Sequence, residues 1–543
     1  MKIPFLLLSC SLLGISLKAQ IPGPAGSVCK DSNTIIRYHS TEDFQNSQVL
    51  LLKDGGNLTW GGKLNSYSAF HYISIFRTDV NGDITWTTKL LPQAGMYITS
   101  CDMLELNNGG FLLSGLVAVG LDQPASYIFT ASIDNSGALL WSHFYQVSLT
   151  GGSANGYPYI AGVPSTDALG NIYTVCTITD IFPDRNGATV VSKLGADGTP
   201  LWNRAFILPK NNTPLGAASP RFYRVFVSND SLSLLSKSST PTAYINMQLK
   251  TSDASIITLK AFAQSNYLVP PDGDKVEKFN PGYAFTGVHY SGNGDLSGVE
   301  FSTVIFDQAL DPVKSFQVQT FPVYYADGWG GVGKNAVVSD DGDLMYGISR
   351  GQEKSLYYGR VDQQGNILTQ KRIQYADPAD GNFFLPPLSY FTNNKLFIHT
   401  TNCASPTGDC GLDYLSFDKN ITKTSDCIVS SDTAFMHLIP FTLKPAPFQW
   451  DYTEDNVLRE IPVQLTQENT GFTKEEICKQ VSVCSVPVIS GKDTICGYEH
   501  ETVFTAHKEA ACLSKLNWSL DTQSVKSFRM IDDTTIGIVF KSS

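Results

Sequence analysis

A chain of 543 residues with 42% hydrophobic and only 16% charged residues holds too little charge for a disordered solvating segment or a coiled coil. Its net charge of −11 at pH 7 sets it against a nucleic-acid-binding surface, which needs clustered Lys and Arg to neutralise phosphate. The 45 Gly, 24 Tyr and 30 Phe point instead to an all-β chain of short strands joined by tight turns.

Residues 1–20 read MKIPFLLLSCSLLGISLKAQ, with Lys2 as a positive start, an apolar run from Ile3 to Leu17 and Ala19-Gln20 as a cleavage end. This predicts a secretory signal, too short to span a bilayer. Leu7-Leu8-Ser9-Cys10 also has the form of a lipobox, but the apolar run continues past Cys10, so cleavage near Gln20 is the preferred reading. No later segment reaches the ~18 apolar residues of a membrane helix. Of the 11 cysteines, ten remain once the signal is removed, and an even number in an exported chain predicts some disulfides.

From residue 44 a pattern recurs: an apolar strand, Asp, two residues, Gly, three residues, Trp. It stands as Asp79, Gly82, Trp86 and again as Asp134, Gly137, Trp141. A third copy keeps Gly198 and Trp202 behind Gly195, and degenerate copies follow at Thr251, Asp307, Asp362 with Gly365, and Asp418. Successive intervals are 55, 61, 56, 56, 55 and 56 residues. Each copy follows a second polar turn and apolar strand, as in Asn108-Gly109-Gly110-Phe111 and Asp340-Asp341-Gly342-Asp343. Four antiparallel strands per unit and seven units over 44–430 predict a seven-bladed β-propeller. Asp accepts turn amides, Gly supplies positive φ, and the Trp fills the wedge between neighbouring blades. The fourth unit, with Ser and Thr in these places, is expected to turn more loosely.

A ring has to be closed. Residues 21–43 contain the strand-like run Cys29–His39, expected to pair with the last blade near Lys423–Ser430. A Cys29–Cys427 disulfide would clasp it there, unless each pairs elsewhere or stays free. Cys403 and Cys410 bracket a short loop and predict a local disulfide.

Residues 431–483, with Pro440, Pro445 and Pro447, read as a connector carrying one or two strands that dock on the propeller. Residues 484–543 hold strand-like runs at Glu501–Ala506, Lys515–Leu520 and Thr535–Phe540 around Trp518. They fit an immunoglobulin-like sandwich, which takes roughly 100 residues, so this one is expected to be incomplete.

The words Ile489-Ser-Gly-Lys-Asp-Thr-Ile-Cys-Gly497, Leu516-Asn517-Trp518 and Ile536-Gly-Ile-Val-Phe540 resemble the PKD-like modules of large Bacteroidetes surface proteins, many exported by the type IX secretion and gliding-motility machinery. The resemblance implies an exported, surface-attached protein with further modules and a sorting domain. It carries no catalytic residue to any position.

Chemistry is sparse in the sequence. There is no His-Glu-x-x-His, Gly-x-Ser-x-Gly, phosphate-loop Gly-Lys-Ser/Thr or Cys-x-x-Cys. The eight histidines are scattered, and His71, His289 and His399 fall in strands of different blades. Asp79 to Asp83 mimics the start of a calcium loop, but its twelfth position is Leu90 and gives no bidentate carboxylate. No cofactor is expected, with room at most for an adventitious calcium. The Asp-x-x-Gly-x-x-x-Trp turn also resembles the repeats of quinoprotein dehydrogenases and the Asp boxes of sialidases, where it is scaffold. A sialidase site would need three arginines, and spacing assembles no three of Arg204, Arg221, Arg224 and Arg350.

Two Gly-rich aromatic loops, with Tyr157 and Tyr159 in one and Tyr324, Tyr325 and Trp329 in the other, are candidate binding loops for extracellular carbohydrate or protein. The competing reading is that they merely cross from an outer strand to the next inner one. The expected function is therefore secreted or cell-surface adhesion on a propeller platform, without catalysis. The alternative is a glycoside hydrolase or oxidoreductase with its site on the funnel face. Converging carboxylates or arginines there favour the enzyme, and an aromatic face without perturbed titratable groups favours binding.

Overall fold

The computed structural model describes residues 18–20, 33–42, 44–63, 69–120, 125–150, 157–179, 187–208, 220–239, 242–264, 272–279, 282–288, 299–320, 332–338, 342–350, 355–375, 382–383, 388–392, 395–403, 410–418, 428–480, 488–490, 501–507, 517–519, 525–532 and 534–541. The chain divides into two compact units, one of residues 35–415 with 424–477, the other of 1–34, 416–423 and 478–543. Among the described residues there is no helix, and no segment is long and apolar enough to cross a membrane as one.

Among the described residues of the larger unit, seven antiparallel sheets follow one another along the chain. The first four strands of sheet one are Gln45–Leu51, Asn57–Gly62, Ile73–Thr78 and Ile84–Leu91. Sheet two begins at Met96–Glu105, sheet three at Tyr157–Ala161, sheet four at Arg221–Ser228, sheet five at Asp272–Phe279, sheet six at Val332–Val338, and sheet seven at Asn382–Phe383 and Leu388–Thr392. These innermost strands touch in a cycle, each against the next and the seventh against the first. The arrangement is that of a β-propeller.

The Asp turns fold as their chemistry dictates. In sheet one the Asp79 carboxylate Oδ1 accepts the amides of Asn81 and Asp83, both at 2.8 Å, while Gly82 takes φ +77°. Asp134 does the same for Ser136 and Ala138, and Asp362 for Asn366. Sheet five has Leu310 where the repeat has Gly, held at φ +65° and buried. Sheet four is not looser. Its turn is one residue longer, closed by the Ala254 amide on the Lys250 carbonyl, with Ala254 at φ +55°.

The repeat's Trp and Gly act on each other across sheets. Trp86 of sheet one lies over Gly137 of sheet two, and Trp141 over Gly198 of sheet three. Trp202 donates its indole N–H to the Thr251 carbonyl of sheet four at 3.1 Å. At the seam the Tyr38 hydroxyl donates to the Gly82 carbonyl at 2.7 Å. A large ring can lie this close only where no Cβ intervenes. Between the sheets sit apolar wedges, such as Leu113, Phe129 and Phe144 with Ile75 and Leu90, or Phe285 and Phe306 with Tyr244.

One further regularity was not expected. The residue before each repeat Trp position falls on a β-bulge in sheets one to six. Bulges re-aim side chains, and Leu140, Leu201, Ile257, Val313 and Leu368 are all exposed there.

Two features correct the sequence reading. Strand Asn33–Ser40 closes the ring against Cys410–Asp418, while residues 428–432 belong to sheet six. Nor is the segment after residue 430 a connector with one or two docked strands. It runs backwards round the ring and gives every sheet a fifth strand: Ile428–Asp432 on sheet six, Met436–Pro440 on five, Leu443–Pro445 on four, Tyr452–Asp455 on three, Leu458–Ile461 on two, Thr466–Glu468 on one and Phe472–Gln480 on seven. This belt covers the outer edges that would otherwise present unpaired backbone groups. Its acids meet bases on the fourth strands: Asp432 with Lys371 at 2.6 Å, Asp455 with Arg204 at 2.5 Å, Glu460 with His143 at 2.7 Å, Glu468 with Lys89 at 2.9 Å and Glu475 with His39 at 2.9 Å.

The smaller unit holds a four-stranded antiparallel sheet in the order Val488–Ser490, Thr502–His507, Thr535–Phe540, Val525–Met530, packed around Phe504, Ile536, Ile538 and Phe540. Trp518 is not central to that sheet. It lies in Asn517–Ser519, which pairs with Lys18–Gln20.

Candidate active site

The innermost strands alternate like any half-buried strand. In sheet two Cys101 and Met103 are buried in the wedge while Asp102 faces the other way. In sheet five Val276 is buried and its neighbours Lys275 and Glu277 are partly accessible. In sheet four Arg224, just after a register shift, is likewise half-buried.

These four charged groups lie close enough to act on one another's charge through space. Asp102 interacts with the charges of Arg224 and Lys275, and both cations interact with Glu277 first and Asp102 second. Sheets two and five lie three places apart in a cycle of seven, so the Asp102–Lys275 interaction runs across the ring's centre. Water touches each side chain, yet Asp102, Arg224 and Lys275 are crowded enough by protein to lose most of their hydration.

Burial raises the Asp102 carboxyl to about 6, the two cations opposing the rise. Burial also lowers Lys275 and Arg224 from their usual ranges, against the pull of Glu277 and Asp102. Glu277 is anchored, its Oε2 accepting the Val338 amide of sheet six at 2.5 Å. A carboxyl that exchanges its proton near pH 6, beside a fixed carboxylate and two cations, can donate or accept a proton and stabilise charge on a reacting group.

The charged group at the inner strands was not among the predicted binding-loop residues, whose side chains lie outside the described set. Tyr157 and Tyr159 lie in the innermost strand Tyr157–Ala161 of sheet three rather than in a crossing loop. Tyr324, Tyr325 and Trp329 lie outside the described residues. His71 is exposed, its ring 5.1 Å from Tyr97. His289 and the side chains of His399 and Arg350 lie outside the described set. Of the four arginines, Arg224 is traced to the central group. Arg204 is engaged by Asp455 of the belt, and Arg221 sits at the start of the Arg224 strand. Cys101 and Cys176 are buried free thiols, so not every cysteine is paired. Cys403 ends and Cys410 begins neighbouring strands of sheet seven, while Cys29 and Cys427 lie outside the described residues. Asp418 ends its strand, and the turn expected after it is likewise outside them.

Sequence reasoning missed Asp102, Lys275 and Glu277. The available signal was a charge inside an apolar inner strand, as in Ile98-Thr-Ser-Cys-Asp102-Met-Leu104.

No protein-family model matches the chain, and no curated protein matches it. Among solved structures, the polysaccharide lyase Uly1 aligns at 9% identity and TM-score 0.35, over 68% of this chain and 89% of its own. The exo-β-1,3-galactanase 1,3Gal43A from Clostridium thermocellum aligns at 11% identity and TM-score 0.33, over 79% of this chain and 100% of its own. The GH43 β-1,3-galactosidase BT0265 aligns at 11% identity and TM-score 0.29, over 70% of this chain and 91% of its own. Likeness of this size assigns neither family nor activity. The expectation that the chain is not an enzyme is corrected on the site itself: the inner strands bring a carboxyl with a raised pKa, a second carboxyl group and two cations within reach of one another's charge, the condition set for the enzyme alternative rather than for a purely binding face.

Proposed function

We propose that this chain is an exported carbohydrate-active enzyme built on a seven-bladed propeller, cleaving glycosidic bonds at the ring's centre. Asp102 is the proton donor and acceptor, Glu277 the fixed carboxylate, and Arg224 and Lys275 hold substrate oxygens and developing charge. The observation that carries the reading is that Asp102, Arg224, Lys275 and Glu277, from the innermost strands of sheets two, four and five, act on one another's charge. The signal-like residues 1–20 support export. The PKD-like words of residues 484–543 support a surface location and an immunoglobulin-like module.

The test is product release from a panel of purified polysaccharides, beginning with β-1,3-galactans and uronate-containing polymers. Wild type is expected to release oligosaccharides, and Asp102→Asn and Glu277→Gln to lose about 10²–10⁴-fold in rate with the fold intact by circular dichroism. Release at the same rate by both variants overturns the proposal.

A further inference from the structure

We infer that sheet two carries a second saccharide-binding site, a groove outside the ring's centre that holds one sugar of a polysaccharide chain. The choice of ligand rests on the reading of the centre as a site of glycosidic cleavage. The groove has a volume of about 400 Å³ and is lined by Asn108, Gly110, Asp134, Asn135, Ser136 and Leu140. It lies between two turns of sheet two: residues 106–110 join the first and second strands, and 134–138 the third and fourth. Asp102 stands on the first of these strands, six residues before Asn108, so the groove opens at the end of the sheet towards which Asp102's strand runs. From the first strand to the fourth is three inter-strand spacings, or about 14 Å.

Hydrogen bonds fix the polar lining. The Gly110 amide donates to Asn108 Oδ1 at 3.0 Å, and the Arg77 guanidinium of sheet one donates to Asn135 Oδ1. With each carboxamide oxygen held by an N–H, each NH2 group is left as the donor for a ligand. The two carboxamides sit on adjoining turns, for a Cβ on Gly109 would stand 3.7 Å from Asn135 Cγ. The Ser136 hydroxyl donates to Asp134 Oδ1 at 2.7 Å, which leaves its own oxygen as an acceptor. That bond also holds the Asp134 carboxyl below the usual carboxylate range, so at neutral pH it accepts from hydroxyls. The apolar wall is Leu140, 58% exposed and re-aimed by the bulge between Leu139 and Trp141. A pyranose ring presents an apolar C–H face and a rim of hydroxyls. Leu140 covers the first, and the two amides, the Ser136 hydroxyl and the Asp134 carboxylate meet the second.

Sheet three supplies the control. It has the corresponding turns and the same bulge, with Leu201 56% exposed in the place of Leu140, but Leu169 and Ala196 stand where sheet two has Asn108 and Asn135. Leu140→Ser, Leu140→Trp and Leu201→Ser are each made in the Asp102→Asn protein, so that the polymer is not cut during the run. Each is run by affinity electrophoresis through gels containing β-1,3-galactan, β-1,3-glucan or xylan, and normalised to a polymer-free gel. On the polymer that retains the parent, Leu140→Ser is expected to weaken binding about fivefold. Leu140→Trp is expected to tighten it at least about threefold, because a ring covers more of a sugar face than Leu does. Leu201→Ser is expected to leave it unchanged. Equal losses for Leu140→Ser and Leu201→Ser, no loss for Leu140→Ser, or retention of the parent by no polymer overturns the inference. The cleavage reading then stands or falls separately, on product release by the wild type. Retention that depends on Leu140, from a wild type that releases no product, upholds the groove and overturns the cleavage reading instead.

Discussion

Gly137→Ala tests the claim that sheets one and two are held by an aromatic ring seated on a glycine turn. Gly137 has φ +86°, and a Cβ there would stand 2.6 Å from Cε3 and 2.8 Å from Cδ2 of Trp86. The left-handed backbone costs an alanine about 1–2 kcal/mol. Forcing Trp86 aside adds about 1–3 kcal/mol of overpacking, for about 2–5 kcal/mol in all. Gly95 separates the two terms: its φ is +83°, and a Cβ there meets nothing within 4 Å. Gly95→Ala should therefore cost only the backbone term, about 1–2 kcal/mol. Urea unfolding followed by fluorescence and by circular dichroism gives the midpoints and checks that the two signals coincide. In a Trp86→Ala background the excess at Gly137 should vanish, leaving a coupling of about 1–3 kcal/mol between the two positions. Equal losses for Gly137→Ala and Gly95→Ala, or strict additivity with Trp86→Ala, would refute the reasoning.

Leu310→Gly should destabilise by about 1–4 kcal/mol, because the lost burial exceeds the relief of its positive φ; a higher urea midpoint would contradict this. Asp102 titrates near 6 when folded and near 3.9 when unfolded, so the folded chain holds the extra proton between those values. Its contribution to stability accordingly falls as pH rises from about 4 to 6 and stays low above that. Asp102→Asn should then be more stable than wild type at pH 8 by about 1–3 kcal/mol, the partial exposure of the side chain trimming the full shift, and equal stability at pH 8 would contradict it. Asp455 is held below the usual carboxylate range by hydrogen bonds from Arg204, so its stabilising effect is present above about pH 4 and is lost as pH falls through its folded value. Limited proteolysis should cut the belt around residues 452–455 faster in Asp455→Asn than in wild type at pH 7, and the difference should shrink as acid protonates Asp455 in the wild type. Replacing Leu140, Leu201, Val313 and Leu368 each by Ser should change the urea midpoint by under about 0.5 kcal/mol apiece, since these bulge side chains are exposed.

What the sequence made legible was local chemistry. Asp79, Gly82 and Trp86 recur because a tight turn needs an acceptor and a positive φ, and because Trp86 needs the bare backbone of the next turn, at Gly137. The belt left no such trace. Its strands of three to nine residues start at uneven steps, and their partners lie as far as 436 residues away, as for Glu475 beside His39. Its logic shows only in pairs such as Asp455 opposite Arg204, which no single segment displays. The central site was hidden for a related reason. Asp102, Arg224, Lys275 and Glu277 come from three sheets and share no motif, so only closure of the ring brings them together. Arg224 was visible among the arginines, but nothing in its neighbourhood named its partners. The aromatic loops drew attention because Tyr and Gly are conspicuous, yet Tyr157 and Tyr159 turned out to build a strand.

The central claim is that Asp102 moves a proton in the reaction, and the pH dependence of kcat/KM on a cleaved polysaccharide tests it most directly. The account predicts a wild-type profile that changes slope at an apparent pKa near 6, and an Asp102→Asn enzyme at least about 100-fold slower in which that inflection is gone. An Asp102→Asn enzyme that keeps both the rate and the inflection would contradict it.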